Sequence, residues 1–140
     1  MNRTQQYQLK PADRVIIPKS AANLIQHHGI YLGRNHLGQE MFAENNIKTG
    51  VRFVTDKMFF KDAAHITRVQ PFSGNDTQRR QAVSTAIGME GKAYDLLSFN
   101  CEHYSNVVQN IKPESKQVNI GLAVAALLML IFGGAAVANS

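Results

Sequence analysis

The chain of 140 residues contains one cysteine, Cys101. A single cysteine cannot form a disulfide within the chain, which fits a protein of a reducing compartment. Around it, residues 99–104 read Phe-Asn-Cys-Glu-His-Tyr, and apolar residues recur behind them at helical spacing. Because Ser98 or Asn100 is a suitable N-cap, the sequence predicts that Cys101 lies in the first turn of a helix.

Clustered basic residues and metal-ligand spacings are also lacking. The fifteen Lys and Arg give a formal net charge of +5, yet Arg79-Arg80 is the only adjacent pair. Without a motif of basic and aromatic residues, we expect no nucleic-acid partner. The five histidines do not show the spacing of metal ligands, so we expect neither a metal nor a cofactor. A mildly basic domain of this kind suits an anionic membrane surface.

The N-terminal residues 1–10 show no secretory pattern, whereas residues 120–138 contain no charge and no proline. At about 1.5 Å per residue this run crosses most of a hydrocarbon core of about 30 Å. We therefore predict a single-pass transmembrane helix, the alternative being a buried core helix. Lys112 and Lys116 precede it, which favours a cytoplasmic domain. The pair Gly133-Gly134 permits close helix packing, but nothing else in the sequence supports a homodimer.

The length and the patterning predict one soluble domain over residues 1–112, a short linker over 113–119 and the membrane anchor over 120–138. Strands come first and helices follow, so we expect an α+β fold with an antiparallel sheet packed against helices. Residues 44–46, Glu-Asn-Asn, are expected to interrupt the third strand. The predicted strands cover residues 14–17, 26–33, 39–43, 51–54 and 65–69.

Two adjacent histidines lie on the second predicted strand, so their side chains point to opposite faces of the sheet. His28 and Ile30 share one face, which we interpret as core, while His27 and Gly29 share the other, which we interpret as a site. A helix start lowers the pKa of a cysteine, and a histidine elsewhere in the chain can act as its base. These residue types favour a nucleophilic thiol at Cys101, although a buried structural cysteine is an equally good interpretation of the spacing alone.

Three motifs resemble those of the lecithin retinol acyltransferase family. Residues 100–104 resemble its Asn-Cys-Glu-His-Phe signature, with tyrosine as the final aromatic residue. Residues 27–33 resemble its His-aromatic-Gly-Ile-Tyr-Leu-Gly strand, and residues 9–17 its Lys-Pro-Gly-Asp-Leu-Ile opening, with Ala12 in place of glycine. The resemblance implies a circularly permuted papain-like fold, in which the histidine strand precedes the cysteine helix.

Carried over by position, the resemblance implies that Cys101 is the nucleophile and His27 the base, ahead of His28 in the aromatic position. Many members carry a second histidine at the end of the next strand, and this chain has none there. Glu44 or Asn45 offers an acceptor oxygen to the imidazole instead, and we favour Asn45.

We expect the remaining residues of the cysteine signature to have a structural role. One turn of helix directs Glu102 and His103 away from the face of Cys101, so we expect them, together with Asn100, to anchor the helix by hydrogen bonds.

The resemblance implies a membrane-anchored, cysteine-dependent acyltransferase or phospholipase-like hydrolase. Its thiol would attack a phospholipid or another acyl ester, form an S-acyl enzyme, and pass the acyl group to an amine, an alcohol or water. Two alternatives stay open. One is a cysteine peptidase or amidase that acts on peptide or isopeptide bonds. The other is a catalytically silent binding module, which the missing second histidine favours.

Overall fold

The computed structural model describes residues 1–19, 24–111 and 116–138 of the chain. It confirms an α+β fold with an antiparallel sheet and helices. The elements in chain order are α1 (Arg3–Gln6), β1 (Arg14–Pro18), β2 (Gln26–Arg34), β3 (Glu40–Asn46), β4 (Gly50–Thr55), α2 (Asp56–Phe59), β5 (Arg68–Gln70), α3 (Asp76–Gly88), α4 (Cys101–Val108) and α5 (Lys116–Ala138).

The strands form one antiparallel sheet in the order β4-β3-β2-β1-β5, so that β2 is central. Gly29 of β2 pairs directly with Glu44 of β3, and His27 lies two residues before Gly29. Directly paired residues share a face, as do alternate residues of one strand. The register therefore places the side chains of His27 and Glu44 on one face, as diagonal neighbours.

Both faces of the sheet are covered. On one face, Ile30 and Ala43 pack in a buried cluster with Tyr104 and Val108 of α4. The predicted core face of β2 is therefore core. On the other face, a second buried cluster contains the β-branched residues of β1 and the aromatic residues of β2, β3 and α2, namely Val15, Ile17, Tyr31, Phe42 and Phe59.

The second face of β2, which we interpreted as a site, is largely core as well. A Cβ at Gly29 would lie 2.3 Å from Cε2 of Phe59, so the missing side chain makes room for that ring. The Phe59 ring stacks on Phe42 with 4.5 Å between centroids and lies 5.8 Å from the ring of His27. Gly29 thus admits a core aromatic ring, and His27 at the start of the strand is the part of this face that reaches a cavity.

Strand β3 is longer than the sequence predicts. The expected interruption at residues 44–46 is wrong, because these residues pair with residues 50–52 of β4. The polar side chains are accommodated by partners that the sequence pattern does not show. Arg52 donates to Glu44, and Asn45 donates to the carbonyl oxygen of Phe99.

The C-terminal helix α5 begins before the predicted anchor. Of the predicted linker 113–119, residues 113–115 lie outside the described residues and 116–119 already belong to α5. Gln117 and Val118 are half-buried, whereas residues 119–130 are exposed. Within the described ranges, no helix has both the length and the apolar character that crossing a membrane requires, so the predicted membrane-spanning helix is not found.

Candidate active site

Cys101 is the first residue of α4, and Asn100 is the N-cap. The Asn100 Oδ1 accepts hydrogen bonds from the backbone N–H groups of Glu102 at 2.9 Å and His103 at 3.1 Å. In return, the ring nitrogen Nδ1 of His103 accepts a hydrogen bond from the Asn100 N–H at 3.3 Å. This reciprocal cap fixes the helix start, where the N–H of Cys101 has no acceptor within the helix.

The thiol of Cys101 is buried beside the start of β2, with its sulfur 4.0 Å from the carbonyl oxygen of Gln26. Burial alone would raise its pKa. A hydrogen bond from the His27 ring and the positive charge of that ring outweigh burial, and a hydrogen bond from the His28 backbone adds to them, so the thiol pKa lies below its ordinary value.

The pKa of His27 is shifted in the opposite direction from that of Cys101. Burial would lower the pKa of the imidazole, but its hydrogen bonds to Cys101 and Glu44 raise it above the ordinary value. A lowered thiol pKa and a raised imidazole pKa together favour a thiolate and an imidazolium side by side. This ion pair is the nucleophilic form of a cysteine with a histidine base.

Glu44 holds the other side of the imidazole. The Nε2 of His27 lies 2.5 Å from the Glu44 Oε2, and both residues are buried. The second oxygen, Oε1, accepts a hydrogen bond from Nε of Arg52 at 2.8 Å. Burial would raise the Glu44 pKa, but His27 and Arg52 lower it to about 2. Because Nε2 is engaged by an ionised carboxylate, Nδ1 is the nitrogen that faces Cys101.

Asn45, which we favoured for this place, is positioned differently. Its Nδ2 donates to the carbonyl oxygen of Phe99 at 2.7 Å, and the residue is almost fully buried. Neighbouring residues of a strand point to opposite faces, so Glu44 and Asn45 cannot both reach the ring of His27. Asn45 instead fixes the segment that leads into Asn100 and Cys101.

His28 belongs to a separate buried network. Its Nδ1 accepts a hydrogen bond from Nε of Arg14 at 2.8 Å, and Nη1 of Arg14 donates to Asn106 Oδ1 at 2.6 Å. Burial and the charge of Arg14 lower the pKa of His28 to about 3, which leaves the ring neutral near pH 7. This network joins β1, β2 and α4 behind the thiol.

A cavity of about 560 Å³ opens over Cys101 and His27. This volume is in the usual range for small-molecule sites. Polar residues of its wall include Lys19, Tyr94 and Gln117. The large apolar residues of the wall come from the segment before β2, the turn after β3, the loop before α4 and the start of α5: Ile25, Ile47, Leu96, Leu97, Val118 and Leu122.

Several residues of the site were not predicted from the sequence. Arg52 is the direct cross-strand partner of Glu44, a pairing that becomes visible only when the β3–β4 register is known. Lys19 and Tyr94 belong to none of the motifs recognised in the sequence, and Gln117 lies in the segment that we interpreted as a linker. Among the described residues, no group of three or more His, Cys, Asp or Glu side chains is placed to hold a metal ion.

A family model described as Lecithin retinol acyltransferase matches residues 7–113 of the chain. No curated protein and no solved structure matches the chain. The matched segment runs from before β1 to beyond α4 and includes Cys101, His27 and Glu44. It covers well over half of the chain and the whole of the thiol–imidazole–carboxylate arrangement. The chain therefore belongs to the lecithin retinol acyltransferase family.

Proposed function

We propose that this protein is a cysteine-dependent acyltransferase or phospholipase-like hydrolase that acts on acyl esters of glycerophospholipids. One observation carries the proposal. The Cys101 thiol, the His27 ring and the Glu44 carboxylate form a continuous hydrogen-bonded chain at an apolar cavity. The family of the chain supports a thiol acyltransferase or hydrolase of this kind.

In the first half of the reaction, the Cys101 thiolate attacks the carbonyl carbon of the ester. The N–H of Cys101, at the start of α4, donates to the oxyanion that develops. The carbon–oxygen bond to the glycerol then breaks, and the imidazolium of His27 gives its proton to the leaving oxygen. The product is an S-acyl enzyme and a lysophospholipid.

In the second half, His27 is neutral and acts as the base. It takes a proton from water, an alcohol or an amine as that acceptor attacks the thioester carbon. The carbon–sulfur bond breaks and the thiolate of Cys101 is restored beside the imidazolium. Glu44 holds the imidazole in one orientation and stabilises its charged form, and Arg52 holds Glu44.

The order of the reacting residues supports a circularly permuted papain-like arrangement. His27 lies on a strand that precedes the helix of Cys101 in the chain, and the sheet packs against that helix. A thiolate at a helix start, with an imidazole from a neighbouring strand, suits acyl transfer through a covalent intermediate.

Helix α5 supports membrane attachment of the domain. Its exposed apolar side chains include Ile120, Leu127, Met129 and Leu130. No charged residue follows Lys116, so the helix offers lipid an apolar surface. We propose that the domain lies on the cytoplasmic side, because the anionic surface of the cytoplasmic leaflet attracts basic residues such as Lys116 at the domain end of the helix.

Lys19 favours a phosphate-bearing substrate over a neutral ester. It lies in the cavity wall, and its positive charge is close enough to lower the pKa values of both Cys101 and His27. An ammonium group at the edge of an apolar cavity can pair with a phosphate while the acyl chain enters the cavity.

The proposal is tested with the full chain and vesicles of phosphatidylcholine. We expect the protein to float with the vesicles in a density gradient and to release fatty acid and lysophospholipid, and we expect Cys101→Ser to float equally but release neither. Cleavage of peptide or isopeptide substrates without lipid turnover would replace the proposal with a peptidase. No turnover of either class, with a thiol that does not react with iodoacetamide, would indicate a silent binding module.

A further inference from the structure

The start of α5 is attached to the residues beside the reactive pair. The Oε1 of Gln117 accepts a hydrogen bond from the backbone N–H of Gln26 at 3.1 Å, and its Nε2 donates to the carbonyl oxygen of Gln26 at 3.3 Å. Gln26 immediately precedes His27, and the same carbonyl oxygen lies 4.0 Å from the sulfur of Cys101. The N–H of Gln117 also points to Oε2 of Glu102, at 3.4 Å.

This attachment makes α5 a wall of the cavity. Gln117, Val118, Gly121 and Leu122 line it, so the first two turns of the helix border the same cavity as the thiol. Beyond these turns the side chains up to Leu130 are exposed. The helix therefore belongs to the site at its start and leaves the domain further along.

Gly121 is the wall residue of α5 that has no side chain. A Cβ built on Gly121 meets no atom within 4 Å, so the space beside its backbone is open. The residue is helical, and a glycine in a helix interior costs stability compared with alanine. Because Gly121 also lines the cavity, a longer side chain at this position has room to extend.

We propose that the first two turns of α5 bind the acyl chain carried by Cys101 and that Gly121 sets the length of chain accepted. The inference rests on the proposed function, because it concerns the acyl group of that reaction. The occupant follows from the chemistry of the cavity. A thioester formed at Cys101 has its carbonyl carbon at the sulfur, and its chain must continue into a space whose wall surface is mainly apolar.

The apolar lining continues from the domain onto the helix. Ile25 and Leu97 line the cavity from the domain, and Val118 and Leu122 line it from α5. Each methylene that enters this space is removed from water, so a longer chain binds more tightly until it reaches the end of the cavity. A side chain at position 121 shortens that path.

The test is chain-length selection by the full-length protein. Wild type, Gly121→Leu and Ala123→Leu are given equal mixtures of phosphatidylcholines with short and long acyl chains, and the released fatty acids are identified by mass spectrometry. We expect Gly121→Leu to lower the ratio of long to short product about tenfold, a typical effect of methylene-scale changes in an apolar pocket. Ala123→Leu places the same side chain at an exposed position of the same helix that does not line the cavity, and it should keep the wild-type ratio.

The outcomes separate this inference from the function on which it rests. Lipid turnover with the same product ratio in both leucine variants would overturn the role of α5 and leave the thiol chemistry intact. Absence of turnover in the wild type would overturn the proposed function itself. If Gly121→Leu does not fold, as judged by circular dichroism, Gly121→Ala adds a single methyl group, and an unchanged ratio in that variant would also contradict the inference.

Discussion

At the scale of single residues, the reactivity of Cys101 is produced by three neighbours. Burial of the sulfur disfavours the thiolate, and the charged ring of His27 reverses that effect. The ring is charged because its hydrogen bonds to Cys101 and Glu44 raise its pKa, and Glu44 is ionised because His27 and Arg52 lower the pKa of its carboxyl group. Removal of any one of these groups should therefore alter the pH range in which the thiolate exists.

Replacement of Glu44 tests this dependence. Glu44→Gln keeps an oxygen beside His27 but removes the negative charge that stabilises the imidazolium. The pKa of His27 should therefore fall, by about 1–3 units for a lost close charge pair. The alkaline limb of the pH profile of kcat/KM reports deprotonation of His27, so we expect this limb to move to lower pH by that amount.

Glu40→Gln is the matched control for that change. Glu40 is a buried carboxylate of the same strand, but its hydrogen bonds go to Tyr31 and Arg34 rather than to the site. We expect it to keep the alkaline limb in place. Equal displacement in both variants, or an unmoved limb in Glu44→Gln, would contradict the assigned role of Glu44.

The motifs identified Cys101 and His27 from the sequence, but they could not separate Glu44 from Asn45. Both residues offer an acceptor oxygen, and they are adjacent in one strand. The choice depends on which face each side chain occupies, and that is set by the pairing of Gly29 with Glu44. Arg52 depends on the next register along the sheet, so the sequence pattern did not reveal it either.

At the scale of elements, the cap of α4 sets the position of the thiol. Asn100 caps this helix in the same reciprocal manner as Asn75 caps α3, where Gln78 takes the place of His103. The sequence left Ser98 and Asn100 open as the N-cap of α4. The structure selects Asn100, since Ser98 donates its hydroxyl to Asp95 instead.

The two caps allow a matched pair of substitutions. Asn100→Ala and Asn75→Ala should each lower the free energy of unfolding by about 1 kcal/mol, the usual cost of a lost N-cap. Only Asn100→Ala loosens the helix start that carries Cys101, so it alone should slow alkylation of the thiol by iodoacetamide at neutral pH. Unfolding in urea and the alkylation rate measure the two effects, and an equal alkylation rate in both variants would contradict the positional role of Asn100.

The sequence predicted where the strands lie along the chain more accurately than it predicted where each strand ends. The first four strands were placed correctly, because their alternating or β-branched pattern depends only on local sequence. The fifth was predicted over residues 65–69, whereas β5 spans Arg68–Gln70. The end of β3 was predicted wrongly, because Glu44 and Asn45 are poor strand residues by propensity and are held there by Arg52 and by the backbone of Phe99. Long-range partners of this kind are invisible to a pattern along the chain.

At the scale of the whole molecule, the cavity lies where the segment before β2, the loop before α4 and the start of α5 meet. The sequence divides the chain into a domain, a linker and a tail, since apolar composition changes near residue 120. That division placed Gln117 in the linker and hid its contacts with Gln26. The composition of a segment indicates whether the segment as a whole is buried or exposed. It does not indicate which residues a single side chain such as Gln117 contacts, because those contacts depend on the fold.

The same layout suits the lipid substrate that we propose. An exposed apolar helix begins at the wall of the cavity, so the acyl chain of the proposed substrate would have an apolar path along α5 to the thiol. The basic side chain of Lys19 lies at the same cavity, in a position to receive a phosphate. The central claim is therefore a covalent one: Cys101 carries the acyl group.

Intact-protein mass spectrometry tests this claim most directly. The full chain is incubated briefly with a short-chain phosphatidylcholine, beside Cys101→Ser, and the adduct is located by peptide mapping. We predict a mass increase of one acyl group on the wild type, located at Cys101 and removed by hydroxylamine, and no increase on the variant. A wild-type thiol that reacts with iodoacetamide but gains no acyl group, while lipid is not consumed, would contradict the account.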